Sequence, residues 1–105
     1  MFRTAEVIVA FFPADAGGRQ SPPWLNGRRY SPHFRVKNSS ELLGVEFISG
    51  PDRPEFNAQS QAVVRFLYEP NVSYEALAVD AEFEIVEGPK VVGHGKVISR
   101  KDAIS

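Results

Sequence analysis

Hydrophobic and polar positions along the chain recur mostly with the two-residue period of β-strands. Residues 5–12 (AEVIVAFF) are dense in strand-forming types and stop at Pro13. Residues 33–37 (HFRVK) alternate, with Phe34 and Val36 on the inward side. Residues 42–48 (LLGVEFI) form a third run, closed by Ser49-Gly50-Pro51, and residues 61–68 (QAVVRFLY) a fourth, ended by Pro70. Residues 82–87 (EFEIVE) alternate cleanly, Gly88-Pro89 turns the chain, and residues 90–99 (KVVGHGKVIS) return as the partner of a hairpin. Gly93 and Gly95 share one face of that last strand, as expected where a small barrel bends or another backbone comes close. Tyr74, Leu77 and Ala78 have helical spacing, so residues 73–79 predict one or two marginal helical turns. Six short strands with almost no helix predict an antiparallel sheet, either closed on itself or folded into a sandwich.

Between the first two strands lies a long connection, DAGGRQSPPWLNGRRYSP, that is polar, basic and rich in proline. The Gly17-Gly18 pair predicts backbone with positive φ. Trp24, after Pro22-Pro23, has two readings: a stacking platform for a nucleobase, or a lid folded back on the core.

The chain has 105 residues, the size of one domain, residues 1–105. That length supports one modest core, burying roughly 65% of the unfolded surface. Eight Phe supply the bulk for it. No residue is Cys, which excludes disulfides, thiolate metal sites and a Cys nucleophile. No run is long and apolar enough to span a membrane, and residues 7–13 lack the basic leader of a secretory signal. The expectation is a cytoplasmic protein that does not engage membranes.

The net charge of −1 argues against indiscriminate binding of polyanions. It conceals a segregation. Residues 16–40 carry Arg19, Arg28, Arg29, Arg35 and Lys37 and no acid. Residues 41–87 carry ten acids against Arg53 and Arg65. Residues 88–101 carry Lys90, Lys96, Arg100 and Lys101 and again no acid. If the two basic segments meet, one face is positive; otherwise the charges are simply solvated.

Signatures of catalysis are missing. The phosphate loop GxxxxGK[ST] and the nucleophile elbow GxSxG do not occur. His33 and His94 stand without HExxH or HxH partners, so no metal and no cofactor are expected. Glu82 and Glu84 lie opposite Phe83 and Ile85, as a solvated face requires. The chain is not expected to be an enzyme.

Two segments carry a resemblance. The first is Gly17-Gly18-Arg19-Gln20-Ser21-Pro22, followed by Asn26-Gly27-Arg28-Arg29 and Phe34-Arg35-Val36. The second runs from Phe83 to Val97 and fits the pattern FxIxEGxxxVGxG. In order and separation they resemble the opening GGRHTPF…YRPQF and closing FAIREGG…VGAG segments of the third domain of elongation factor Tu, its C-terminal β-barrel. The likeness spans nearly the whole chain, although residues 38–80 match in strand pattern alone. Several positions depart from the family. Gln20 stands for a histidine, Arg28-Arg29-Tyr30-Ser31-Pro32 replaces YRPQF, the loop before Trp24 to Asn26 is one residue longer, and Asp80 stands for a glycine. The GTPase domain and middle barrel are missing from this chain, which is therefore not read as a complete elongation factor.

The resemblance implies a six-stranded antiparallel closed barrel. It also implies a non-catalytic module that contacts the T-stem backbone of aminoacyl-tRNA and packs on protein domains. Family RNA contacts from the GGR loop and the EG turn fall here on Arg19 with Gln20 and on Glu87 with Gly88, and Lys90 matches a basic family position. The candidate binding set is Arg19, Gln20, Trp24, Arg28, Arg29, Glu87, Gly88 and Lys90. Three functions compete: a module binding tRNA or rRNA of the translation machinery, a module binding a protein partner, and a small ligand-binding protein or enzyme with an unannounced pocket.

Overall fold

The computed structural model describes residues 3–101. Six strands form: β1 (Thr4–Phe11), β2 (His33–Val36), β3 (Leu43–Ser49), β4 (Ser60–Phe66), β5 (Glu82–Glu87) and β6 (Lys90–Lys101). They close into a barrel in the order β1-β4-β3-β2-β5-β6, with every neighbouring pair antiparallel. The choice between sandwich and barrel is settled in favour of the barrel. Predicted strand ends agree to within two residues.

Alternation puts Val7, Val9 and Phe11 of β1, Val45 and Phe47 of β3, and Val64 and Phe66 of β4 inside. Phe34 of β2 stacks on Phe83 of β5 within the core, ring centroids 4.0 Å apart. Bulges at Glu6/Val7, Phe47/Ser49 and Ile85/Val86 supply the bends that closure needs. Gly93 and Gly95 face inward opposite Ile85 and Phe83. A Cβ on Gly95 would lie 2.5 Å from the Ile8 carbonyl oxygen and 2.7 Å from the Phe83 ring. Side chains there would force β1 away from β6, as the sequence spacing suggests.

The antiparallel order defines two poles. Loops 12–32 and 50–59 and the turn at 88–89 share one, which we call the upper pole. Loops 37–42 and 67–81 share the lower. Residues 73–79 of the lower pole form hydrogen-bonded turns, not the predicted helix. Tyr74 and Leu77 plug the barrel, while Ala78 is exposed. Seven residues are too few to sustain a helix, and here their carbonyls have other partners. The Arg100 guanidinium donates to the carbonyls of Tyr74 and Leu77 at 3.1 and 3.3 Å. Asp80 adopts the left-handed conformation, φ +72.

Candidate functional site

Of the segment 12–32, the first part is a tight return. A 3-10 turn at Ala14–Ala16 ends at Gly17 in the left-handed region, φ +86. Gly18 then passes so close to β1 that a Cβ would sit 2.0 Å from the Phe12 carbonyl oxygen. The glycine pair thus has two separate reasons, and only the first was predicted. The Arg19 amide donates to the same Phe12 carbonyl at 3.0 Å, which anchors Arg19 beside the end of β1.

At the neighbouring β5–β6 hairpin, Glu87 pairs with Lys90 across a two-residue turn. Gly88 takes φ +57 and Pro89 is held near −65° by its ring, a combination that fits a type II′ turn. This register directs Glu87 toward the long loop. Its carboxylate accepts hydrogen bonds from the Arg19 guanidinium and from the Tyr30 hydroxyl. The Arg19 Nε also donates to the Ser21 carbonyl at 2.9 Å, and its guanidinium carbon lies 5.3 Å from the Tyr30 ring centroid. Burial holds the Tyr30 hydroxyl well above the ordinary tyrosine range, helped by the hydrogen bond and charge of Glu87 and opposed by Arg19. The adjacent positions Gln20, Gly88 and Lys90 are exposed. Two widely separated predicted residues, Arg19 and Glu87, therefore meet.

Tyr30 completes this group and was not among the predicted site residues. It belongs to the core as well, with Phe47 at 5.4 Å and Phe11 at 6.0 Å between ring centroids. Its sequence signal is weak: one aromatic residue in a polar loop, shortly before a strand.

The second part of the loop divides its side chains between core and solvent. Leu25 is fully buried, wedged over Gly50 and Ala62, and Pro23 is also buried. Trp24 between them points outward and remains 40% exposed. The lid is thus Leu25, which corrects the reading of Trp24 as the covering residue. The inward positions 23 and 25 alternate with 24, and the smaller aliphatic group fits the space.

Trp24 gathers cations. The guanidinium carbons of Arg29 and Arg53 lie 5.2 and 5.8 Å from its ring centroid. Asn26 Nδ2 donates to Asp52 Oδ1 at 3.5 Å, tying the two loops together. Arg28 is exposed, with φ +58. Among the described residues Arg28, Arg29 and Arg53 make no ion pair, whereas Arg19, Arg35 and Arg65 pair with Glu87, Glu84 and Glu46. Arg53 could not have been found from the sequence, because only the folded loops bring it to Trp24.

The two basic segments meet only in part. Arg19, Arg28, Arg29 and Lys90 share the upper pole, joined by Arg53 from the acidic middle. Arg35 and Lys96 lie on the barrel wall, facing Glu84 and Asp80, and Arg100 closes the lower pole. Asp15, Asp52, Glu55 and Glu87 also stand at the upper pole. Its cations are interleaved with carboxylates rather than forming an unbroken positive face.

Open clefts occur elsewhere. One of about 400 Å³ lies between Arg3, Glu69 and Tyr74 at the lower pole. Two more, of about 370 and 270 Å³, adjoin His94 and Glu82 on the outer wall. None of the predicted site residues lines them. Among the described residues no cluster of His, Asp and Glu has the arrangement of a metal site, and no helix is long and apolar enough to cross a membrane. No protein-family profile and no curated protein sequence matches the chain significantly.

Proposed function

We propose that this barrel is a non-catalytic binding module that docks a protein partner through its upper pole, in line with its resemblance to the third domain of elongation factor Tu. The observation that carries this reading is the half-exposed Trp24 with Arg29 and Arg53 against its ring and exposed Arg28 next in sequence to Arg29, none of which has a carboxylate partner among the described residues. Trp and Arg are the side chains that most often dominate the energy of protein interfaces. Guanidiniums without an internal partner are available to an external one. The interleaved carboxylates of the pole and the chain's net charge of −1 favour a protein over a nucleic-acid backbone.

RNA of the translation machinery is the second reading, favoured by a different observation. Arg19, Glu87 and Gly88, onto which the resemblance carries the family's RNA contacts, are neighbours in space. Arg19 is already engaged by Glu87 and the Ser21 carbonyl, so an RNA phosphate would have to compete for it.

Two assays separate these readings. A tagged protein retains a stoichiometric protein partner with and without nuclease if the first reading holds. Binding to bulk tRNA that weakens steeply with salt, and weakens further in Arg19→Ala, would instead establish the second.

A further inference from the structure

We infer that the Trp24–Arg29–Arg53 cluster recognises an acidic stretch of polypeptide, a partner segment in which Asp or Glu residues are spaced by neutral ones. This rests on the protein-docking reading above and specifies the chemistry of the partner. Three features of the cluster lead to it. First, the Trp24 ring already holds two guanidiniums, at 5.2 and 5.8 Å from its centroid, which compete with a nucleobase for the ring. The ring acts as a platform for the cations. A guanidinium over an aromatic face keeps its N–H donors along its edges, where a carboxylate accepts two at once.

Second, Arg29 and Arg53 come from separate loops that are tied by Asn26 and Asp52 at 3.5 Å. The two forks are thereby held near each other before any partner arrives, which reduces the ordering cost of binding. Arg28, next to Arg29 in sequence, is exposed as well.

Third, Asp52 and Glu55 flank Arg53 in sequence, and Asp15 and Glu87 stand elsewhere on the pole. A nucleic-acid strand brings a charge at every phosphate and cannot avoid these carboxylates. A polypeptide with spaced acidic residues can set its carboxylates on the guanidiniums and its neutral residues beside the acids.

The test uses a short fluorescein-labelled peptide with Glu at every third position and Ser-Gly between, its Gln counterpart, and a single-stranded oligoribonucleotide of equal charge. Trp24 is the only Trp in the chain, so its fluorescence reports directly on this site. The Glu peptide is expected to bind at low ionic strength and to change the Trp24 emission as carboxylates close on the guanidiniums held over the ring. The Gln peptide is expected not to bind. The double variant Arg29→Gln/Arg53→Gln should weaken the Glu peptide roughly tenfold or more, as loss of charge-assisted hydrogen bonds does. Lys37→Gln, at the lower pole, should leave it unchanged. Circular dichroism and urea unfolding check that each variant is folded.

The inference is overturned if the Glu peptide fails to bind, if Lys37→Gln weakens it equally, or if the oligoribonucleotide binds more tightly through the same two arginines. Its failure can be told from failure of the docking reading. A nuclease-insensitive protein partner retained equally by wild type and the double variant would discard this cluster and keep the docking module. No such partner, together with tRNA binding through Arg19, would discard both.

Discussion

The two poles of the barrel solve the same problem differently. Each must cover the open end of a hydrophobic core. The lower pole does so with a stacked, hydrogen-bonded plug. Tyr74 lies on Phe66 with ring centroids 4.6 Å apart, and its hydroxyl donates to the Gly44 carbonyl at 2.6 Å and accepts from the Tyr68 amide at 3.2 Å. Arg100 satisfies the carbonyls of the same turn. The polar atoms of that plug are thus spent on internal bonds. The upper pole is covered by Pro23, Leu25 and Tyr30, carried on a long loop on which Gln20, Trp24, Asn26, Arg28 and Arg29 are exposed. There Arg28, Arg29 and Arg53 have no internal carboxylate among the described residues. One end therefore has its polar groups paired internally, and the other keeps three arginines without an internal carboxylate, which is where the proposed docking site lies.

Tyr74→Ala should break this comparison most visibly. It removes a fully buried ring and a hydroxyl with two partners, and a loss of about 3–5 kcal/mol is expected. Tyr74→Phe keeps the stack and should lose about 1–2 kcal/mol. Urea unfolding of both variants checks this. A neutral Tyr74→Phe would mean that the Gly44 and Tyr68 bonds add nothing to the plug.

The wall that joins the poles is the next target. Gly95→Ala places a methyl group 2.5 Å from the Ile8 carbonyl oxygen, which is backbone and cannot rotate away. A destabilisation of about 1–3 kcal/mol follows from overpacking at the β1–β6 seam. Gly88→Ala meets nothing within 4 Å and loses only the ease of a positive φ, so it should cost about 1 kcal/mol. If Gly95→Ala proved the milder of the two, strand approach would not be what requires glycine there.

Legibility in the sequence followed the range of the interaction involved. The strands were readable because alternation is local: Val7, Val9 and Phe11 declare an inward face without reference to any partner. The hairpin at Gly88 was readable for the same reason. Closure into a barrel was not fixed by alternation, which suits a sandwich equally, and that choice came from the resemblance. At the site, Arg19 and Glu87 were both singled out, but their contact depends on two loops meeting at one pole. Tyr30 and Arg53 escaped notice because neither belongs to a local pattern. Of the two readings of Trp24 the lid fails, because a propensity for burial ranks Trp as a covering residue, whereas the space above Gly50 is taken by Leu25.

The junction between core and upper pole gives a smaller, pH-dependent effect. Tyr30 ionises near pH 10 in the unfolded chain and well above that in the folded one, first through burial and then through Glu87. The folded state therefore holds the proton more tightly. The stability due to this group is fully present below pH 10 and is lost as pH rises beyond it. Unfolding measured from neutral pH upward should show a steeper loss above that point in wild type than in Tyr30→Phe. Equal slopes would place the alkaline loss on other groups. Glu87→Gln removes the shared acceptor charge and should lose about 1 kcal/mol at neutral pH, since Arg19 and Glu87 are both about a quarter exposed.

The smallest effect on stability is expected at the proposed docking site. Arg28→Gln/Arg29→Gln/Arg53→Gln removes three exposed guanidiniums and two cation–π contacts with Trp24. Exposed contacts of that kind contribute about 0.5–1 kcal/mol each, and relief of like-charge repulsion among three arginines offsets part of it. The unfolding free energy should therefore change by less than about 1 kcal/mol, while the Trp24 emission changes in the free protein. The lower pole offers no such separation, because each polar atom of the Tyr74 plug that a substitution removes also holds the barrel shut. If the triple variant lost as much stability as Tyr74→Ala, these arginines would be structural, and the contrast between a pole that holds and a pole that binds would fail.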